Sequence, residues 1–195
     1  MVRHVLLDAD DVLQVLPGGW LAALEVYCGK RADEFLTAIN MAEQPSMRGD
    51  EPGFFPALKA LVTEYKVPAS AFELLVNVWH RIEVLPHTAD LVAELRGRGY
   101  GVHLATNQPP ERAAYMREKL KYDKLFDSSF YSCAVGAAKP DPAYFRKVVA
   151  TLGVEPGEVG FVDDLAVNVA AAREVGLVAH QWQYGDDVDV LRALF

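Results

Sequence analysis

Seven polar residues stand out by type and position. Asp8 and Asp10 close a short apolar run, Thr106 and Asn107 close a second, Lys139 follows a third, and Asp163 and Asp164 close a fourth. A carboxylate is a competent nucleophile toward phosphorus, passing through an aspartyl-phosphate, and a second carboxyl two residues on can protonate the leaving oxygen and later take a proton from water. A threonine hydroxyl at 106, the neighbouring amides around Asn107 and the Lys139 ammonium suit the oxygens of a phosphoryl group. Gathering Asp8, Asp10, Asp163 and Asp164 at one place is costly, since two unit charges about 4 Å apart repel by roughly 4 kcal/mol at an effective dielectric near 20. A hard divalent cation offsets that repulsion, and one or two carboxylates plus substrate oxygens are the usual setting for Mg2+. Taken singly, each residue is an ordinary loop former or helix cap. The argument lies in four strand ends carrying them together.

Those ends require a particular framework. Val5-Leu6-Leu7, Tyr100–Ala105, Ser129–Cys133, Val159–Val162 and Leu177–His180 are short apolar runs bounded by polar turns, as buried strands of a parallel sheet are. Between them lie helical patterns with readable ends. Thr88 is placed to cap one that carries Leu91, Val92 and Leu95; Pro110 opens the next; Asp141-Pro142 is a cap followed by proline at the first helical position, with Gly153 as the stop. Leu165–Val175, ended by Gly176, is the last crossover. Strand alternating with helix predicts parallel βα units.

Residues 16–82 break that rhythm. Four helical patterns, Trp20–Tyr27, Arg31–Ile39, Phe54–Tyr65 and Ala69–Ile82, follow one another without a strand. The expected organisation is an α/β core of residues 1–15 and 83–195 with a helical insertion over 16–82, beside the strand ends where open α/β sheets bind ligands.

Composition bounds the rest. The chain has 195 residues, 51% of them apolar, and a formal net charge of −8, which argues against holding nucleic acid or an anionic membrane through bulk charge. Its two cysteines, Cys28 and Cys133, are too few for a disulfide framework or a cysteine zinc site. No run of about 18 apolar residues suggests a membrane span. A cytoplasmic protein without nucleic-acid or membrane partners is expected, acting on a small molecule.

The ordered set resembles the haloacid dehalogenase (HAD) superfamily. Asp8-Ala9-Asp10-Asp11-Val12-Leu13 looks like its first motif, Thr106-Asn107 its second, Lys139-Pro140 its third and Val162-Asp163-Asp164 its fourth, in the right order and over the whole chain. The resemblance implies a Rossmann-like α/β parallel-sheet core with an inserted four-helix cap of the C1 type, and it is nearest to small sugar-phosphate phosphatases. Residue by residue, it implies Asp8 as nucleophile and metal ligand and Asp10 as general acid/base with its backbone carbonyl on the metal. Thr106, Asn107 and Lys139 fall on phosphate, Asp164 directly on Mg2+, and Asp163 on it through water. The expected activity is Mg2+-dependent hydrolysis of a small phosphate monoester, with a sugar phosphate as the substrate the resemblance suggests.

Two positions depart from the pattern. Asp11 and Val12 stand where glycine and threonine are common, which points Asp11 to a turn or capping role, and Asn168 stands where a further acid is frequent. A phosphomutase fits the same core, and a 2-haloacid dehalogenase fits less well because such enzymes lack an acid at position 10. A phospho-acceptor module of the receiver type uses similar residues in another chain order. The five histidines show no ligand spacing, and Trp20 follows Pro17-Gly18-Gly19 at the entry to the insertion.

Overall fold

The computed structural model describes residues 1–195. In chain order, β1 (His4–Leu7) and β2 (Gln14–Val15) precede α1 (Gly19–Cys28), α2 (Ala32–Met47), α3 (Phe55–Glu64) and α4 (Ala71–Leu74), which runs into a π-helical turn, Leu75–Trp79. There follow β3 (Glu83–Val84), α5 (His87–Gly97), β4 (Gly101–Thr106), α6 (Pro110–Glu118), α7 (Tyr122–Leu125), β5 (Ser128–Tyr131) and α8 (Ser132–Val135). The chain ends with α9 (Pro142–Leu152), β6 (Val159–Asp163), α10 (Ala166–Val175), β7 (Val178–Gln181) and α11 (Val188–Ala193).

Five strands form one parallel sheet in the order β5-β4-β1-β6-β7. Its strands read as continuous apolar runs because both faces are covered. Val5, Leu7, Val102, Leu104 and Val162 belong to one buried cluster, while Leu6, Ala105, Val159 and Phe161 belong to another on the opposite face. β1 lies at the centre with Leu7 opposite both Leu104 and Val162, so the residues that follow these three strands emerge side by side.

The helices over 19–79 have a buried cluster of their own that includes Leu24, Phe35, Ile39, Leu58, Leu74 and Trp79. Three ties join this segment to the sheet. Glu111 of α6 accepts from the Phe54 and Phe55 amides at 3.0 and 2.8 Å and so caps α3. Arg112 donates from Nε to the Trp79 carbonyl at 2.9 Å. Gly49 has φ +78°, and a Cβ there would stand 2.9 Å from the Cys133 carbonyl oxygen.

Several local expectations need correction. The segments entering and leaving the helices are an antiparallel pair, Gln14 opposite Val84 and Val15 opposite Glu83, which two-residue strands cannot announce by periodicity. α2 does not stop near Ile39 but runs through Pro45 to Met47. Thr88 is no cap: it lies inside α5, buried, with its hydroxyl donating to the Leu13 carbonyl at 2.6 Å. Cys133 belongs to α8, not to the edge strand. Asp141, by contrast, caps α9 through the Ala143 amide at 2.8 Å. No helix is long and apolar enough to cross a membrane.

Candidate active site

Asp8 follows the last residue of β1, Thr106 ends β4, Asp163 ends β6 with Asp164 after it, and Lys139 lies in the turn before α9. Carboxylate oxygens of Asp8, Asp163 and Asp164 lie within 4.8 Å of one another. Asp8 Oδ1 accepts from the Ala9 amide at 2.7 Å and faces Lys139 Nζ at 2.8 Å. Its other oxygen, Oδ2, is left without a protein donor. Burial raises the Asp8 pKa above its ordinary value; Lys139 opposes this and Asp163 reinforces it. Burial also works against the Lys139 ammonium, but Asp8 and Asp163 together outweigh it and raise its pKa. Asp164, half-buried beside Asp163 and Asp11, is pushed up to about 6, with burial the first cause.

The partners of the remaining residues refine their expected roles. Lys139 Nζ also donates to Asp163 Oδ2 at 2.6 Å and to the Ala105 carbonyl at 2.9 Å, so its three protons are all spent on the protein. What it offers a phosphoryl group in this arrangement is charge. The Asn107 side chain is engaged with the lysine, its amide donating to the Lys139 carbonyl at 2.8 Å and accepting from the Lys139 amide at 3.0 Å, which leaves its backbone amide as the group to meet phosphate. Asn107 holds the lysine in place. The Thr106 hydroxyl accepts from Gln108 Nε2 at 2.9 Å. Asp163 is engaged at both oxygens, with Oδ1 taking the Leu165 amide and Asn168 Nδ2, both at 2.9 Å. Asn168, which replaces a frequent acid, thus orients Asp163. Asp11 has φ +58° and serves the turn, its amide donating to the Gln14 carbonyl at 2.8 Å.

Asp10 faces away from this cluster. Arg112 grips it bidentately, Nη1 to Oδ2 at 2.6 Å and Nη2 to Oδ1 at 2.8 Å, while Gln108 and Gln14 donate at 2.8 and 3.0 Å. Burial alone would raise the Asp10 pKa, but the Arg112 charge and these hydrogen bonds outweigh it and lower it. Asp10 opens into a cavity of about 230 Å³ between the sheet and the helical segment. Trp20, Asn40, Glu43 and Trp79 line it opposite Asn107 and Arg112. The Arg112 guanidinium stacks over the Trp20 ring, 5.3 Å from its centroid, and the Trp79 indole N–H donates to Glu43 Oε1. Burial pushes Glu43 up to about 7.

Arg112, Gln108 and Glu43 were not foreseen. Glu43 had a signal, since it continues the Phe35, Ile39 spacing along the buried face of α2, where an acid is out of place. Arg112 lies beside Ala113, at the start of a helix opened by Pro110, and nothing local marks it as the partner of Asp10.

Known proteins resemble the chain in sequence and in fold. A segment is 36% identical over 88 residues to a chloroplast flavin mononucleotide hydrolase of Arabidopsis thaliana, covering 45% of this chain and 36% of the relative. Another match is 38% identical over 88 residues to a sesquiterpene phosphatase of Aspergillus oryzae, covering 45% of each. The chain spans less than half the length of these curated relatives. A solved HAD family enzyme from Bacteroides thetaiotaomicron, in complex with magnesium and inorganic phosphate, superposes with a TM-score of 0.81 at 20% identity, covering 98% of this chain and 99% of that one. The haloacid dehalogenase-like hydrolase description matches residues 2–176, and with the parallel sheet and its strand-end cluster in place, the chain belongs to that family.

Proposed function

We propose that the protein is a magnesium-dependent phosphatase that hydrolyses a small phosphate monoester through an aspartyl-phosphate on Asp8. The observation that carries this reading is the pairing of an anchored carboxylate, Asp8, with a second carboxyl, Asp10, that opens into the adjoining cavity. Displacement of halide needs no such second acid. The donor set of Asp8, Asp163 and Asp164 is all oxygen, which suits Mg2+. Asp8 Oδ2 and the Asp164 carboxylate, with the Asp10 carbonyl, are the groups to hold it, and Asp163, already saturated, would act from farther out. Bound there, the ion would supply positive charge against the carboxylates and the phosphoryl group.

Asp8 then forms a bond to phosphorus as the ester P–O bond breaks, and Lys139 holds the attacking carboxylate in place. In the second half, water attacks the aspartyl-phosphate, the bond from phosphorus to Asp8 breaks, and Asp10, which its lowered pKa keeps ionised, takes the proton from that water. Donating a proton to the leaving oxygen in the first half requires Asp10 to turn out of the Arg112 fork as substrate enters. The helices over 16–82 act as a cap that excludes water over this site and the α/β core as its floor. The substrate is a small molecule, and the expected setting is the cytoplasm, where Cys28 and Cys133 stay reduced.

Asp8→Asn tests the reading. The amide fills the same space but cannot attack phosphorus, so hydrolysis of p-nitrophenyl phosphate should fall by about 10⁴-fold or more while circular dichroism is unchanged. Substantial hydrolysis by the variant, or full wild-type activity in excess chelator, would overturn it.

A further inference from the structure

Arg112 ties the sheet side of the cavity to the helical side. Its side chain is 3% exposed, and four of its five N–H groups are taken: Nε by the Trp79 carbonyl, both on Nη1 by Asp10 and Gln108, and one on Nη2 by Asp10. The second Nη2 proton is uncommitted. Asp10 is filled in return, for each oxygen accepts twice, Oδ1 from Arg112 and Gln14 and Oδ2 from Arg112 and Gln108. A carboxylate that accepts four hydrogen bonds has no site left for a proton. Its first-half role therefore obliges Asp10 to leave the fork, and its departure alone would strand a buried guanidinium, which is strongly destabilising.

A second anion is at hand. Asp10 and Glu43 are the only acids lining the cavity, and neighbouring Glu111 is spent on the Phe54 and Phe55 amides. Glu43 has Oε1 on the Trp79 indole N–H and Oε2 without a protein partner. Trp79 thus anchors both groups, the guanidinium through its carbonyl and the carboxyl through its indole. Burial works against the Arg112 charge; Asp10 and, after it, Glu43 outweigh that. The charged groups facing Glu43 are Arg112, Asp10 and Glu111, and burial above all holds its pKa at about 7. In the arrangement seen, the cavity contains one ion pair and one neutral acid.

We propose that Glu43 is the second seat of Arg112: as Asp10 turns toward the substrate, the Nη edge of the guanidinium passes to the Glu43 carboxylate while Nε stays on Trp79. Glu43 gives up its proton in the exchange and Asp10 takes one up, so one ion pair and one neutral acid are buried before and after. The negative charge of the incoming phosphoryl group favours the second state, since it disfavours a carboxylate beside it. Asp10 then protonates the leaving oxygen and recovers a proton from the attacking water. On its return to the fork, that proton goes back to Glu43. The proposal deepens the phosphatase reading and rests on it. Glu43 and Trp79 belong to the helical segment and Asp10 and Arg112 to the α/β part, so Asp10 is freed only when α2 is seated over the cavity. Glu43 is a positioning residue, acting on the leaving group through Arg112 and Asp10.

The test uses the full chain with magnesium and two aromatic esters of similar size: p-nitrophenyl phosphate, whose phenolate leaves without a proton, and benzyl phosphate, whose alkoxide needs one. In Glu43→Gln, which keeps the acceptor for Trp79 but has no charge to offer the guanidinium, Asp10 stays in the fork. The ratio of kcat/KM for the benzyl ester to that for the nitrophenyl ester should fall by about 10²-fold, the usual scale of general acid catalysis. In the wild type this ratio should decline as pH rises through about 7, where Glu43 no longer brings a proton to the exchange. In Glu43→Gln it should be flat over the same range. A crystal structure with magnesium and orthovanadate reads the exchange directly, with Arg112 expected on Glu43 and Asp10 free of it.

An equal loss on both esters in Glu43→Gln, a pH dependence of the ratio that survives in that variant, or an Arg112 still on Asp10 in the vanadate complex overturns the proposal and leaves the phosphatase reading standing. Turnover of neither ester by the wild type, with Arg112 found on Glu43 in the complex, overturns the phosphatase reading and keeps the exchange.

Discussion

On the floor of the cleft, Asp8, Asp163 and Lys139 are buried against one another at 2.6 to 2.8 Å, held by backbone amides and by Asn107 and Asn168. In the wall above, Glu43 has one partner, Trp79, and Asn40 lies exposed. The floor is a saturated network in which each group compensates another, so the loss of any member leaves buried charge unpaired. The wall is built from separate side chains on a helix face, where one contact, Trp79 to Glu43, is the only one a substitution of these two residues would strand. Chemistry shared by all substrates belongs where substitution is costly, and selection among them belongs where it is cheap.

Lys139→Ala should sharpen this contrast most. Removing the ammonium strands Asp8 and Asp163, so stability should drop by about 3–5 kcal/mol and kcat/KM should fall by roughly 10²–10³ on every ester alike. Denaturant melts and kinetics on three esters measure both, and a selective loss on one ester would place recognition in the floor.

The next effect is smaller and belongs to the wall. Burial holds the folded Glu43 pKa at about 7 against an ordinary 4.5. Below pH 4.5 folded and unfolded chains both carry the proton; between 4.5 and 7 only the folded chain keeps it, so this contribution to stability declines as pH rises and is gone above 7. Arg112 eases the ionised form, and Asp10 and Glu111 oppose it. Glu43→Gln should therefore match the wild type at pH 4 and be more stable by ~3 kcal/mol at pH 8, at 1.36 kcal/mol per unit. Parallel stability curves would mean that Glu43 titrates alike in the folded and unfolded chain, so that the wall does not hold it protonated.

The smallest expected shift concerns the metal. A ligand that binds only the native state at a hundredfold excess over its Kd stabilises it by about 2.7 kcal/mol. Magnesium should raise the Tm accordingly, chelator should cancel the rise, and Asp164→Ala should abolish it. An Asp164→Ala protein that still gains stability from magnesium would move the cation elsewhere.

The strand ends were legible because a buried parallel strand writes itself as a continuous apolar run, and the polar residue that stops the run is the one placed at the C-terminal edge of the sheet. Asp8, Thr106 and Asp163 are found this way, and the Asp141 cap and the Gly153 and Gly176 stops follow from equally local rules. The wall was less legible. Pro45 hides the length of α2 and with it the position of Glu43, although the spacing from Phe35 and Ile39 points to it.

Local pattern, then, decided the parallel sheet, the order of its polar ends and the acidic floor, since each depends on a few adjacent residues and the periodicity of one element. Only the tertiary structure decided that Arg112 closes on Asp10 across 102 positions, that the Asn107 side chain bonds to the Lys139 backbone, and that Thr88 bonds to Leu13 instead of capping its helix. These are pairings of groups remote in sequence. Each is chosen by which partner lies within hydrogen-bond reach once the apolar faces are buried, and neither residue of a pair carries a local mark of the other.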